Sequence, residues 1–250
     1  MPYYGYYYFE KTRLKAFGGK NDVERFIDFV RSETSDFDFN NVIPMPEEID
    51  KATGNVDIES LVYYCLKTGI DLDPRTCANP KLLKVPALAL GALYRSSLEQ
   101  IEDRLRETDK DPEEYYRLGE QFYRNYQKYG YDYWSYWRQR NWGMVCMPNY
   151  VHCSGMYLIY RAENPVNDKY AVSYVFGPHD GDPINVFAKI IKEFPELEFE
   201  IVDAGGSFYG VGIVRGKDGE IVEVKAVRGD KAHDLAVEIW GYDPDEDEEF

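Results

Sequence analysis

The stretch of the chain richest in chemically capable side chains is Trp134-Ser135-Tyr136-Trp137-Arg138-Gln139-Arg140-Asn141-Trp142. Trp134, Trp137 and Arg138 stand three and four positions apart, so a helix aligns them on one face. Trp and Arg are preferred anchors of protein interfaces and also stack on nucleobases. Asn141 and Trp142 extend the group, making these five the candidate partner-binding residues. The competing use is structural, pinning a helix onto a sheet, and large aromatics serve cores more often than interfaces. His179, Asp180 and Asp182 form a second group, in the Gly- and Pro-rich segment Phe176 to Pro183. An imidazole with two carboxylates suits Zn or Mn. No further ligand pair stands at motif spacing, and an Asp before Pro183 serves equally as a helix cap. No metal, cofactor or catalytic residue is therefore expected. Cys146, His152 and Cys153 lack paired Cys-x-x-Cys spacing, and neighbours on a strand face opposite ways. Gly18-Gly19-Lys20 lacks the remaining residues of a phosphate loop. The glycines of Gly205-Gly206-Ser207 and Gly210-Val211-Gly212 suit a bulge or tight turn.

Composition narrows what such groups can serve. The chain has 250 residues, 44% hydrophobic and 30% charged, enough for a core and too polar for a membrane protein. No apolar run reaches the roughly 20 residues that span a bilayer. The net charge of −16 repels nucleic-acid backbones and favours a basic partner. Part of that charge sits in 241–250, where the acidic run Asp243 to Glu249 reads as a disordered tail. Four cysteines without a secretory leader suit reduced thiols in a cytosol. The 23 tyrosines, each an apolar ring with a polar tip, suit half-buried positions and contact surfaces.

The elements that must position these groups follow from periodicity and breakers. Tyr3 to Glu10 is aromatic and β-prone; Gly18-Gly19 breaks the chain; Asn21 caps a helix carrying Val23, Phe26, Ile27 and Val30 on one face. Phe37 to Ile43 alternates as a short extended segment before Pro44 and Pro46. Helices are expected over Val56 to Lys67, within Leu82 to Arg106, and from Asp111-Pro112 to Tyr129. Strands are expected over Met156 to Arg161, Tyr170 to Phe176 and Glu198 to Val202, with a helix from Asp182-Pro183 to Pro195. A hairpin closes the sequence, Phe208 to Arg215 and Glu220 to Val227 around Gly216-Lys217-Asp218-Gly219. The order is α+β: one domain over 1–250 with a ferredoxin-like antiparallel sheet and a C-terminal β-hairpin. A mostly helical insertion, 50–143, separates the first helix from the second core strand.

Three stretches together resemble a known family: Phe39-Asn40-Asn41-Val42-Ile43-Pro44-Met45-Pro46-Glu47-Glu48; Tyr129 to Arg138 continuing into Asn141-Trp142-Gly143; and Val172 to Phe199 with Phe194-Pro195-Glu196. On these the chain is similar to the YubB-type ferredoxin-like proteins of phages and plasmids, among them the Api-phage-like accessory proteins. It departs from their pattern at Met144-Val145-Cys146-Met147 and in the loop Phe176 to Pro183. The resemblance implies a ferredoxin-like fold and a mobile-element accessory protein acting on host or competitor machinery.

The resulting expectation is a non-enzymatic, cytoplasmic protein that binds a host or competitor protein with a basic surface, as an anti-defence inhibitor or nucleic-acid mimic. One alternative is a single-stranded nucleic-acid-binding module displaying Tyr3, Tyr6, Tyr8, Tyr157 and Tyr174 on its strands. The other is a metal-dependent hydrolase built on His179, Asp180 and Asp182. The sequence leaves the oligomeric state open.

Overall fold

A computed structural model describes residues 10–50, 58–70, 97–130, 134–145, 147–148, 150–205 and 210–241. The expected strand residues Tyr3 to Phe9, the helix residues 82–96 and the acidic tail beyond Gly241 lie outside these. The chain divides into two compact units, Met1–Pro44 with Arg138–Phe250, and Met45–Trp137.

In the first unit the described elements are β1 (Glu10–Gly18), α1 (Lys20–Val30) and α2 (Phe39–Val42). After the second unit follow β2 (Val151–Tyr160), β3 (Lys169–His179), α8 (Ile184–Glu193) and β4 (Glu198–Gly205). The chain then forms β5 (Gly210–Lys217), β6 (Glu220–Arg228) and α9 (Asp230–Trp240). The strands form one antiparallel sheet in the order β2-β3-β1-β4-β5-β6.

Period-2 alternation sorts side chains between the sheet's faces. Along β1, Thr12, Leu14 and Ala16 are buried on one face while Lys11, Arg13 and Lys15 take the other. The first face carries an aromatic core. The Phe26 ring of α1 meets Tyr174, Phe194 and Phe199 edge-on at 5.3 to 6.0 Å between centroids, the geometry that ring quadrupoles favour. Val186, Phe187, Ile190 and Ile191 bury the inner stripe of α8. On the other face α9 covers Val202, Ala204, Val211 and Val227 with Ala232, Ala236 and Ile239.

Several sequence expectations move. The first strand lies at Glu10–Gly18, where basic residues alternate with apolar ones, rather than ending at Glu10. Gly19, without a side-chain bond, caps α1 in place of Asn21. The segment expected to be extended turns once as α2, because the Asp38 carboxylate accepts from the Asn40 backbone N–H and nucleates the turn. Pro183 rather than Asp182 stands at the N-cap of α8, with no side-chain cap. Helix α9 was not foreseen.

The second unit's described elements are all helical: α3 (Glu47–Asp50), α4 (Ile58–Thr68), α5 (Leu98–Glu107), α6 (Pro112–Tyr129) and the start of α7 (Trp134–Asn141), a helix that crosses the division between units. Ser97 and Gln100 close a capping box on α5. Asp111 caps α6, Pro112 opens it and Gly130 in the left-handed region ends it. Gly119 brings α4 and α6 close: a Cβ there would lie 2.0 Å from the Ser60 carbonyl oxygen.

Candidate functional site

The tryptophan-rich cluster does form a helix, α7, but its rings are largely spent inside. Trp142 is fully buried, tilted against Phe39 with centroids 5.9 Å apart, and its Nε1–H donates to the Ile43 carbonyl at 2.9 Å. The Arg138 guanidinium lies 5.1 Å from the centre of that ring, a cation–π contact that directs it at its own cluster. Trp137 is buried, Trp134 and Asn141 are half-buried, and Tyr136 is the exposed aromatic of this helix. Burial of Trp137 and Trp142 leaves little aromatic surface for a partner to grip.

The group expected to bind metal is divided among three tasks. Asp180 Oδ1 accepts from the Val145 backbone N–H at 3.1 Å. Asp182 is exposed, and its backbone N–H donates to the Gly143 carbonyl at 3.2 Å. His179 turns into the core instead. Among the described residues no group of three His, Cys, Asp or Glu side chains is placed to hold a metal ion.

His179 meets a polar chain that sequence reasoning missed. Thr12 on β1 stands opposite Asp203 on β4, and its hydroxyl donates to Asp203 Oδ1. The same oxygen lies 3.0 Å from His179 Nε2. A hydroxyl has one proton, and Asp203 takes it. Nε2 must therefore carry the imidazole proton and donate, which leaves Nδ1 as the acceptor. Among the described residues Nδ1 is buried and has no partner at good hydrogen-bond geometry, although backbone groups of Gly181 and Asp180 lie beside the ring and favour its charged form. Thr12 and His179 are themselves buried, and desolvation holds the His179 pKa below its ordinary value, favouring the neutral ring. With the ring neutral, the Nε2 proton has no acceptor basic enough to take it, so this is a fixed hydrogen-bond chain rather than a proton relay. Its physical effect is to order the end of the sheet by satisfying polar groups that cannot reach water.

The tyrosines expected to stack on nucleobases separate in the same way. Tyr3, Tyr6 and Tyr8 lie outside the described residues. Tyr174 is fully buried and its hydroxyl pKa is pushed up, chiefly by burial. Tyr157 is exposed, on the terminal strand β2. It has company: Tyr157, Leu158, Ile159 and Tyr160 are between 38% and 61% exposed. The ladder to β3 shifts register between Cys153 and Met156 and again between Leu158 and Tyr160. Such bulges break the strict alternation of sides and re-aim side chains, so four consecutive large residues reach solvent. Of the other cysteines, Cys65 is buried, while Cys77 and Cys146 fall outside the described residues; Cys153 is half-buried and its sulfur accepts from the Gly155 N–H at 3.4 Å.

No family model matches the chain, and no curated protein matches it. Among solved structures, the chain is similar to the crystal structure of protein api92 from Yersinia pseudotuberculosis, of the DUF1281 family. The identity is 11%, the match covers 89% of this chain and 98% of that one, and the TM-score is 0.37. By their own geometry the described residues form an α+β arrangement with an open antiparallel sheet of six strands. Among these described residues no helix is long and apolar enough to cross a membrane.

Proposed function

We propose that the chain is a non-enzymatic, cytosolic binding protein whose edge strand β2 receives an extended segment of a basic partner protein. The observation that carries this reading is the exposed apolar run Tyr157-Leu158-Ile159-Tyr160 on a strand that is terminal among the described residues. An outer strand leaves a row of backbone N–H and C=O groups unpaired, and natural sheets guard such edges with charge. The opposite edge is guarded: β6 carries Glu220, Glu223, Lys225 and Arg228. From Val151 to Tyr160, β2 carries no Asp, Glu, Lys or Arg. An added strand would supply the missing hydrogen bonds, and the exposed rings would supply anchors. The net charge of −16 selects for a basic partner and speeds encounter with it.

The frame supports a ferredoxin-like assignment. The order β2-β3-β1-β4, built by the sequence β1-α1-β2-β3-α8-β4, runs as the split βαβ arrangement would, with β5, β6 and α9 appended, and this supports the reading. With the motifs around Pro44 to Glu48 and Trp137 to Gly143, it favours a YubB-type accessory protein of a mobile element. Its partner would be a host or competitor protein, in the manner of an anti-defence inhibitor.

The test is capture of partners by the tagged chain from a lysate of its source organism, at low and high salt, beside an Ile159→Arg variant. Ile159 is half-exposed, so the variant should fold. The expected result is one stoichiometric basic protein on the wild type, weakened by salt and absent from the variant. Equal capture by both proteins, or recovery of nucleic acid, would defeat the reading.

A further inference from the structure

Face to face with α9, the sheet holds a cleft of about 180 Å³ lined by Arg13, Arg215, Lys225, Lys231, Glu200 and Glu223, with apolar walls from Val202, Ile213, Val227 and Leu235. We infer that this cleft binds a small molecule carrying one oxyanion, a carboxylate or a phosphate ester, on a short apolar body.

The argument is a count of hydrogen-bonding capacity. Register places Arg13, Val202, Ile213, Arg215, Glu223 and Lys225 on one face: Arg13 pairs with Val202, Val202 with Ile213, Ile213 with Lys225, and Arg215 with Glu223. Both carboxylates of the cleft are already engaged. Glu200 accepts from Arg215 at 3.1 Å and Glu223 accepts from Arg215 at 2.5 Å, so the Arg215 charge is committed and the three groups together keep one net negative charge. Arg13 gives one Nη to Glu238 of α9, while its Nε–H is buried and has no partner among the described residues. Its side chain is 11% exposed, which makes that orphan donor costly. Lys225 and Lys231 form no ion pair among the described residues and stand exposed in the lining. The Arg13 guanidinium and two ammonium groups without an ion pair among the described residues thus line one cleft, where with Arg215 the cationic side chains outnumber the two carboxylates. A ligand that offers only acceptors is what this arrangement lacks, and charge-assisted bonds to an oxyanion would satisfy all three donors.

The walls and the size restrict the remainder of the ligand. Four aliphatic side chains favour a guest with an apolar part over a wholly polar one. A volume of about 180 Å³ corresponds to roughly six waters at ~30 Å³ each, room for an oxyanion and one small ring or short chain. The sign also runs against the molecule: a chain of net charge −16 concentrates uncommitted positive charge here, so an anion crossing a repulsive field finds a local well.

Titration calorimetry on the full chain at fixed ionic strength tests this with three probes: inorganic phosphate, phenyl phosphate and benzoate. The expected result is saturable, one-to-one binding of phenyl phosphate or benzoate, tighter than inorganic phosphate because the ring contacts the aliphatic walls. Which of the two binds tighter assigns the head group. A Lys225→Ala/Lys231→Ala variant, altered at two exposed positions, should weaken that binding at least about tenfold. A Lys20→Ala/Lys189→Ala control removes the same charge elsewhere and should bind as the wild type does. Absence of saturable binding by every probe, or equal weakening in both variants, would overturn the assignment.

Discussion

Replacing Thr12 with Val keeps the shape of the side chain and removes its hydroxyl, so it isolates the polar chain that joins β1, β3 and β4. Two bonds disappear: the one donated to Asp203 and the one accepted from His179 Nε2 at 3.0 Å. A bond to a charged acceptor contributes about 1.5–3 kcal/mol, and a buried donor left unmet costs about 1–3 kcal/mol. Partial relaxation and rebonding of Asp203 bring the expected loss to about 2–4 kcal/mol. For a chain of this size that lowers the melting temperature by about 5–15 °C. Thr12→Ser retains both bonds and loses one buried methyl, about 1 kcal/mol. Thr12→Val/His179→Leu removes the orphaned imidazole with the hydroxyl and should recover part of the loss. Acid adds an independent signature. Burial holds the folded His179 pKa below the ordinary 6.5, so the unfolded chain binds the proton first. The stabilising contribution is complete above about 6.5 and is lost as the pH falls toward the folded value, with a slope of at most about 1.4 kcal/mol per pH unit. The double variant should lose this slope. Urea titrations followed by circular dichroism between pH 5 and 8 read all four proteins. A Thr12→Val protein within about 0.5 kcal/mol of wild type, the spread typical of neutral surface changes, would refute the reasoning.

Two further outcomes concern the helical unit. Gly119→Ala should destabilise by about 1–3 kcal/mol: helix propensity gains about 1 kcal/mol, but the new Cβ would sit 2.0 Å from the Ser60 carbonyl oxygen and force α4 and α6 apart, which costs more. Chemical denaturation checks the sign, and a stabilised variant would show that the helices do not approach closely. The Glu48 carboxyl is held down to about 2, first by its hydrogen bond from Lys128 at 2.8 Å and further by the Tyr129 hydroxyl. Its stabilising contribution is present above about 4.5 and is lost as the pH falls toward 2. Glu48→Gln should therefore flatten the acid limb of the stability curve between those values; superimposable curves would contradict it.

What the sequence made legible was punctuation. Asp111-Pro112 opened α6, and Asp218-Gly219, both at positive φ, turned β5 into β6. What escaped was governed by tertiary packing. β1 alternates Lys11, Arg13 and Lys15 with Thr12, Leu14 and Ala16, a pattern that placing the strand at Tyr3 to Glu10 passed over, and α9 lies against the basic face, with Glu238 on Arg13 and the Trp240 carbonyl accepting from Lys11. Helix α9 buries two alanines and an isoleucine, has no side-chain cap, and so presents a weak periodic signal. The tryptophan cluster was legible as a helix, but the direction its rings face was not. Thr12, His179 and Asp203 could not be joined by any spacing rule, since 167 and 191 positions separate the partners. The available hint was a Thr at an otherwise apolar point of the β1 alternation.

The two ends of the sheet make different use of the same irregularity. On β6 the shift between Arg215 and Gly216 lies beside an exposed Val222, yet charged residues punctuate that strand and discourage pairing in register. On β2 the two shifts bracket Met156 to Leu158, with Gly155 at positive φ inside the first. Bulges twist an edge and end a ladder, so an incoming strand can pair regularly only over a short span between them. An unguarded edge that also limits its ladder suits a short partner segment anchored by side chains more than it suits extended self-association, because open-ended pairing needs a long flat strand. On the proposed reading the specificity of such an edge would rest on Tyr157, Ile159 and Tyr160 rather than on backbone bonds that any strand could supply, and for that reason Ile159→Arg is the substitution that tests it.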